Sequence, residues 1–360
     1  MLSNAIGQGL FPGAALSVWH KGDIVYRHYA GKRTFVPWAR DIDACSIFDL
    51  ASLTKPLVTA LAYMLLRDRA MVCLEDNIST FFKDVCGDIS DISLELLLCH
   101  ASGLPAHKRL FENRRLAALP SGPERIDAAC GLILCMPLIY APGTISVYSD
   151  LGYILLGRIV EKITGRGLFE FVSDEIFYPI GLDGLYWQNS SDLPIQASVP
   201  SGYCPCRHKV LVGEVHDTNS WFLGGTTGHA GLFGTLEAVE QLLFVLTRAY
   251  FGLDTPLPIS QETIAVFFHG GKCGPRSTWR LGFDSPSATD STAGSFFSVN
   301  SIGHLGYTGT SFWIDLDGDI AVVFLSNRTF PYDSPASVKE MKVFRKRLHD
   351  TIRSGLATGM

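Results

Sequence analysis

The sequence is poor in charge and contains no block of like-charged residues. Only 18% of its 360 residues are Asp, Glu, Lys or Arg, and the formal net charge is −5. Without a cluster of Lys and Arg, we expect no nucleic-acid partner. No run reaches about 18 consecutive apolar residues, so we expect no membrane span. Residues 1–23 also lack a basic segment followed by an apolar run, so we expect no signal peptide.

Cysteine occurs in an odd number, and no strong metal-binding pattern accompanies it. The nine cysteines include several within apolar runs, which predicts free thiols, a reducing compartment and a cytoplasmic protein. Cys204 and Cys206 lie near His208 and His216 in the sequence. Their Cys-x-Cys spacing is tighter than in the usual structural zinc sites, and no second Cys pair follows closely. We therefore expect neither a metal nor a cofactor.

What the chain does have is enough apolar sequence for a large core, since 47% of the residues are hydrophobic. Alternating apolar residues around turn signals predict one hairpin at 14–29 and another at 310–328. Helical periodicity is clearest at 52–70 and at 149–165, where Gly165 fits the position after the helix end. With strands near both termini and helices between them, the simplest architecture is an antiparallel sheet built from both ends of the chain.

The segment "ASLTKPLVTALAYMLL" places a Ser and a Lys one turn apart at the start of an apolar helix. Ser52 and Lys55 lie on the same helix face, and Pro56 is tolerated in the first turn. Unpaired N–H groups at a helix N-terminus would stabilise an alkoxide or a substrate oxyanion. A partly buried Lys could lose its proton and act as a base. The alternative is a capping Ser and a surface Lys.

Two further segments favour the catalytic interpretation. "VYSDLGY" contains Tyr148 and Asp150 just before a helix, and "GHLGYTG" contains His304 and Gly306 where a strand begins. Together with Ser52 and Lys55, these segments resemble the three-part signature of penicillin-recognising serine enzymes. The chain is similar to β-lactamase-like serine hydrolases, namely class C β-lactamases, low-molecular-weight penicillin-binding proteins and related esterases. The resemblance runs roughly from "FPGAALSV" to "AVVFLSNR".

This resemblance implies a fold class and a domain organisation. The expected fold is α+β, of the β-lactamase/transpeptidase type, with an antiparallel sheet flanked by helices and a separate all-helical domain. Residues 1–68 and 235–360 would form the α/β sandwich domain. Residues 69–234 would form the inserted, mainly helical domain, with the active site in the cleft between the two.

The resemblance also implies roles for individual residues. Ser52 would be the acylated nucleophile, Lys55 would help to deprotonate it, and Tyr148 would pass a proton to the leaving group. The backbone N–H groups of Ser52 and Tyr307 would form the oxyanion hole. Gly306 would let the strand approach the substrate closely.

Three positions depart from the family pattern. Leu305 replaces a Thr or Ser that helps to hold a substrate carboxylate, which places β-lactam and terminal D-Ala recognition in doubt. His304 replaces the commoner Lys and would bring positive charge or hydrogen bonding to the cleft. Asp150 replaces Asn and can pair with Lys55, which would raise the pKa of Lys55 and weaken it as a base. Tyr148 would then be the base, and the sequence does not decide between the two.

His216 and His229 are further candidates for the substrate-binding cleft, because both lie in polar or Gly-rich stretches. We predict a serine hydrolase that acts through an acyl-enzyme on a small ester or peptide. It would be a carboxylesterase or a D-amino-acid peptidase resembling penicillin-binding proteins, with weak or no β-lactamase activity. The alternative is a catalytically silent relative that binds peptidoglycan-like ligands or a protein partner. The oligomeric state is left open.

Overall fold

A computed structural model of the protein describes residues 1–188, 190–271, 274, 275 and 277–357. The β-strands are β1 (Gly13–His20), β2 (Asp23–Gly31), β3 (Phe48–Asp49), β4 (Leu185–Trp187), β5 (Gly202–Cys204), β6 (Lys209–Leu211), β7 (Leu232–Gly234), β8 (Ile302–Leu305), β9 (Ser311–Asp315) and β10 (Ile320–Ser326). The α-helices are α1 (Leu2–Gly7), α2 (Leu61–Asp68), α3 (Leu94–Leu98), α4 (Arg114–Ala117), α5 (Pro123–Ile133), α6 (Asp150–Thr164), α7 (Leu168–Val172), α8 (Thr218–Phe222), α9 (Leu236–Tyr250), α10 (Gln261–His269) and α11 (Pro335–Ala357).

The main sheet joins the two ends of the chain, as the sequence predicts. Its strand order is β2-β1-β10-β9-β8, and every neighbouring pair is antiparallel. Both predicted hairpins, β1–β2 and β9–β10, are present. Two smaller sheets have the orders β3-β7-β4 and β5-β6. The mixture of antiparallel sheets and helices confirms the α+β fold class, whereas the predicted domain boundaries stay a prediction.

Helices cover both faces of the main sheet. Ala14, Leu16 and Val18 of β1 pack in one core with apolar residues of α1 and α11. Ala15 and Trp19 belong to the larger core, which also contains apolar residues of α2, α9 and α10. Successive side chains of a strand point to opposite faces, so apolar residues on both faces of β1 are expected of a strand buried on both sides.

The predicted helix at 52–70 is a single helical run with changing geometry. It begins with a 3₁₀ turn at Ala51–Leu53, continues as a π-helix at Lys55–Ala60, and becomes α2. Pro56 lies in the first turn of the π-helix, where its missing N–H removes a hydrogen-bond donor. The other long predicted helix is α6, and Gly165 follows it in the left-handed conformation with φ of 69°. Within the described residues, no helix is long and apolar enough to cross a membrane.

The structure corrects the expectation of nine free thiols. Cys86 and Cys135 form a disulfide, with their Cα atoms 4.9 Å apart and a sequence separation of 49. The Cys86 N–H donates to the Leu134 carbonyl at 3.2 Å, which brings the two segments side by side. Counting cysteines could not reveal this contact, and Cys273 lies outside the described residues. The cytoplasmic location loses the support of these two thiols and stays a prediction.

Candidate active site

Ser52 follows a strained turn between strand β3 and the helical run. Ala51 has a φ of 49°, in the left-handed region that non-glycine residues rarely adopt. The turn is fixed from both sides, because the Ala51 N–H donates to Asp49 at 2.8 Å and its carbonyl accepts from the Thr54 hydroxyl at 2.6 Å. This sharp turn places Ser52 at the start of the helical run, where its side chain is partly exposed in a cavity.

Lys55 lies beneath Ser52 and is fully buried. Its Nζ is 3.2 Å from Ser52 Oγ, 2.8 Å from Asp150 Oδ1 and 3.0 Å from the His229 carbonyl oxygen. An ammonium group could donate to all three acceptors. A neutral amine could donate to Asp150 and His229 and accept the proton of the Ser52 hydroxyl. The geometry therefore suits Lys55 both before and after it takes a proton from Ser52.

Burial and ion pairing act in opposite directions on Lys55. Burial lowers the pKa of Lys55, and the Asp150 carboxylate raises it by less, so the pKa is lowered overall. Burial raises the pKa of Asp150, but the Lys55 charge and His107, whose Nδ1 lies 3.8 Å from Asp150 Oδ2, lower this pKa by more, so Asp150 is ionised. The predicted pairing of Asp150 with Lys55 is present, and its effect on the Lys55 pKa is upward, as expected. Burial outweighs this effect, and the sequence does not show how deeply Lys55 is buried.

Tyr148 contacts both Ser52 and Lys55. Lys55 Nζ lies 4.8 Å from the centroid of the Tyr148 ring, and both Ser52 and Tyr148 line the same cavity. Burial and the Asp150 charge raise the pKa of Tyr148 well above its ordinary value, against a smaller opposing effect of the Ser52 hydroxyl. Tyr148 therefore keeps its proton near neutral pH, which favours a proton carrier over a resting phenolate base.

His100 and Trp279 hold Tyr148 in place, and neither was predicted as a site residue. The rings of His100 and Tyr148 are 4.5 Å apart, and the Trp279 ring is 5.3 Å from that of Tyr148. His100 Nδ1 accepts the backbone N–H of Ser149 at 3.1 Å, which fixes the chain next to Tyr148. The segment "HASGLP" is a detectable sequence signal for His100, but from sequence it is interpreted as a buried turn.

Two buried arginines bind successive peptide groups near Ser52, the Gly306–Tyr307 peptide and the one after it. Arg345 of α11 donates to the carbonyls of Gly306 at 3.3 Å and Thr310 at 2.7 Å. Arg328 donates to the Tyr307 carbonyl, with its Nε at 3.2 Å. In a trans peptide the C=O and the N–H point in opposite directions. Because Arg345 binds the Gly306 carbonyl, the Tyr307 N–H points away from Arg345.

Position 306 requires glycine, because neighbouring atoms leave no room for a Cβ. A Cβ at this position would lie 1.9 Å from Thr310 Oγ1 and 2.7 Å from the Leu50 carbonyl oxygen. The Gly306 N–H also donates to the Thr310 carbonyl at 2.7 Å, which closes the turn after β8. The structure shows a close approach at Gly306 toward protein atoms, and the predicted approach to a substrate stays a prediction.

His304 is buried behind Tyr148, and their ring centroids are 6.1 Å apart. Its Nδ1–H donates to the Leu305 carbonyl at 2.9 Å, and among the described residues its Nε2 has no hydrogen-bond partner. Burial and the Lys55 charge lower the pKa of His304 to about 3. The ring is therefore neutral at pH 7, and of the two expected properties only hydrogen bonding remains available to it.

His229 and His216 have different surroundings. His229 is buried, with Nδ1 2.8 Å from the Thr227 hydroxyl and Nε2 2.9 Å from Asp217. These contacts fix the loop whose carbonyl accepts a hydrogen bond from Lys55. The His216 ring lies 6.1 Å from the Tyr307 ring, and burial lowers its pKa.

A cavity of about 550 Å³ brings most of the predicted residues together. Its lining includes Ser52, Tyr148, Asp150, His216, His229 and Tyr307. Lys55 lies below Ser52 and is fully buried, Gly306 faces a second, smaller cavity, and His304 lies behind Tyr148. Among charged residues near Ser52, sequence reasoning missed His107, which pairs with Asp150, and Arg345, which comes from a distant helix.

Comparison with known proteins agrees with this architecture. Residues 2–340 match the family model described as Beta-lactamase. A protein of Escherichia coli O157:H7, named as a D-alanyl-D-alanine carboxypeptidase, is 28% identical over 346 residues, which cover 88% of this chain and 79% of that protein.

Solved structures show the same fold at lower identity. EstCE1, a hydrolase with promiscuous acyltransferase activity, has a TM-score of 0.72 at 20% identity over 95% of both chains. The octameric penicillin-binding protein homologue from Pyrococcus abyssi has a TM-score of 0.70 at 20% identity, over 96% of this chain and 75% of that one. Because the family model matches nearly the whole chain, this protein belongs to the Beta-lactamase family of hydrolases and has the β-lactamase/transpeptidase-like fold.

Proposed function

We propose that the protein is a serine hydrolase that cleaves a small ester or amide through an acyl-enzyme on Ser52. The observation that carries this proposal is the buried Lys55 amine, 3.2 Å from Ser52 Oγ and with a lowered pKa. A buried amine next to a hydroxyl at a helix start is the arrangement that activates a serine nucleophile. Lys55 rather than Tyr148 is the base in this proposal, because Tyr148 keeps its proton.

The proposed reaction begins when Lys55 takes the proton of Ser52 and Oγ attacks the carbonyl carbon. The oxyanion accepts hydrogen bonds from the backbone N–H groups of Ser52 and Tyr307. Tyr148 then gives its proton to the departing alcohol or amine as the bond to the leaving group breaks, and it receives in turn the proton that Lys55 took from Ser52. In the second half, water gives a proton to the neutral Lys55 and attacks the acyl carbon. That proton returns to Ser52 Oγ as the bond to the enzyme breaks, which releases the acid and restores the Ser52 hydroxyl.

Leu305 bears on the substrate. It lies next to Gly306 on β8 and has no hydroxyl to offer to a substrate carboxylate. We therefore expect a carboxylesterase or a D-amino-acid peptidase with weak or no β-lactamase activity. The relatives are named as a carboxypeptidase, which cleaves an amide, and as a hydrolase with acyltransferase activity, and both names are consistent with an acyl-enzyme.

Covalent labelling tests the proposal. The protein is incubated with a fluorophosphonate and, separately, with a penicillin, and the intact mass is measured before a short-chain p-nitrophenyl ester assay. We expect one fluorophosphonate adduct on Ser52, and loss of both the adduct and the ester hydrolysis in Ser52→Ala at unchanged melting temperature. A Ser52→Ala variant with more than a few per cent of wild-type turnover would contradict the assignment. Wild-type protein that forms no adduct and hydrolyses no ester would instead support the silent, ligand-binding alternative.

A further inference from the structure

Two cavities of different character meet at Ser52 and Tyr307. The larger cavity, of about 550 Å³, has ionisable side chains on its walls: His107, Asp150, His216, Asp217 and Asp333. The smaller, of about 200 Å³, has aliphatic walls formed by Leu305 of β8 and by Val338 and Met341 of α11. Because Ser52 lines both, a substrate carbonyl bound at Ser52 can place one substituent in each cavity.

Most polar groups that line the smaller cavity hydrogen-bond with the protein. Arg328 and Arg345 also line this cavity, but they donate to main-chain carbonyls, and Arg328 is paired with Asp333 at 2.8 Å. The Nε of Arg345 is buried and has no partner among the described residues. What the cavity offers at its surface is therefore chiefly the side chains of Leu305, Val338 and Met341.

We propose that this smaller cavity selects a short, uncharged aliphatic group next to the scissile carbonyl. Its volume of about 200 Å³ is that of roughly six or seven water molecules, which is enough for a short alkyl chain. A buried apolar group is stabilised there, whereas a carboxylate would lose its hydration and would have to compete with main-chain carbonyls for Arg328 and Arg345. This inference rests on the proposed function and adds the substrate class: neutral short-chain esters or amides.

The helix α11 provides the means to alter this cavity without touching Ser52. Val338 and Met341 are three residues apart and hence neighbours on one helix face. Val343 is on the same helix but lines a separate groove beside α1. Val338 is 43% exposed and Val343 is 58% exposed, so both positions can accept a larger side chain. Val338→Trp fills the small cavity, and Val343→Trp is the matched control.

The test is a chain-length series of p-nitrophenyl acetate, butyrate, hexanoate and octanoate, with kcat and KM measured separately. We expect the wild type to prefer acetate or butyrate to octanoate. Val338→Trp should lower kcat/KM for butyrate by about tenfold or more and for acetate much less, since a misfitting methylene costs roughly tenfold or more. Val343→Trp should leave the series unchanged. Equal losses for acetate and butyrate, or no loss in Val338→Trp, would overturn the proposal.

Two further measurements make the outcome independent of folding and of the proposed function. Leu305→Ala enlarges the cavity and should shift the preference toward hexanoate; an unchanged preference would count against the proposal. An N-acyl-D-alanyl-D-alanine and its methyl ester are also compared, and faster turnover of the free carboxylate would overturn the claim that the group is uncharged. If Ser52→Ala is inactive but the chain-length preference is the same in all cavity variants, only this inference fails. If Ser52→Ala remains active, the proposed function fails.

Discussion

The two sides of the cleft at Ser52 are built on different principles. The helix side, made of Ser52, Lys55, Tyr148 and Asp150, acts through side chains that contact one another directly. The strand side, residues 304–307, presents the Tyr307 N–H, and the buried Arg345 holds its peptide through the Gly306 carbonyl. On the first side the identity of each side chain decides the chemistry. On the second side the backbone geometry decides the chemistry. Side chains such as Leu305 can therefore be substituted without removing the N–H, and such substitutions can alter which substrate is recognised.

The largest effect is expected from breaking the helix side at Lys55. In Lys55→Met the amine that faces Ser52 is lost while most of the buried volume is kept, so the general base is removed. We expect kcat/KM for a p-nitrophenyl ester to fall by about a thousandfold, within the range for loss of a general base. The rate of fluorophosphonate labelling should fall with it.

Lys162→Met, at an exposed lysine of α6, is the control for loss of a lysine as such. The melting temperature of Lys55→Met is measured as well, since Asp150 loses its partner. A folded Lys55→Met variant with nearly wild-type turnover would show that Lys55 is not the base.

A smaller loss is expected from breaking the strand side at Arg345. This guanidinium is buried and binds the Gly306 carbonyl, so it orients the Tyr307 N–H without contacting the substrate carbonyl itself. In Arg345→Met we expect kcat to fall by about 30- to 100-fold with little change in KM, somewhat less than the loss of a complete oxyanion-hole donor. Affinity for a boronic acid, which forms a tetrahedral adduct with the serine, should fall in parallel.

The control for Arg345 lies two residues away, at the exposed Arg347. Arg347→Met should behave as the wild type. If Arg345→Met lowers only the melting temperature and leaves kcat and boronate affinity intact, the role of Arg345 is purely structural.

The same contrast explains how far the sequence predicts the site. The pairing of Ser52 with Lys55 could be predicted because it depends on a three-residue spacing within one helical run. The position of Gly306 also follows from a short motif. The role of Arg345 could not be predicted, because it comes from a surface-like helix almost forty residues after Gly306. Local spacing is visible in the sequence, whereas contacts between distant segments are made only by folding.

The electrostatics of the site were harder still to predict. The sequence shows Asp150 in place of Asn and thus a partner for Lys55, but not the complete burial that lowers the Lys55 pKa. It likewise places His304 near the cleft without showing that burial keeps the ring neutral. The disulfide between Cys86 and Cys135 is a third case, since it depends on two segments that meet only in the folded chain. In each case the sequence does not show what surrounds the side chain in the folded protein.

A gain of function is expected from changing the strand side at Leu305. Leu305→Thr supplies a hydroxyl that can donate to a substrate carboxylate, and a hydrogen bond to a charged group is worth about tenfold or more in rate or affinity. We expect penicillin acylation of Ser52, measured by intact mass over time, to accelerate by about tenfold. Leu305→Val, which adds no hydroxyl, is the control. Efficient nitrocefin hydrolysis by the wild type would show that β-lactam turnover does not need a hydroxyl at position 305.

The smallest effect, and the most specific, is expected from Asp150→Asn. Lys55 can act as a base only when neutral, so kcat/KM should rise with pH through the Lys55 pKa. The Asp150 carboxylate favours the ammonium form and raises that pKa, so removing its charge should lower the Lys55 pKa. The rising limb of the pH–rate profile should therefore move to lower pH, by about one pH unit for a charge at this distance. Asp290→Asn, at an exposed carboxylate paired with Lys342, should leave the profile in place. A limb that stays fixed or moves to higher pH in Asp150→Asn would mean that a group other than Lys55 titrates during acylation.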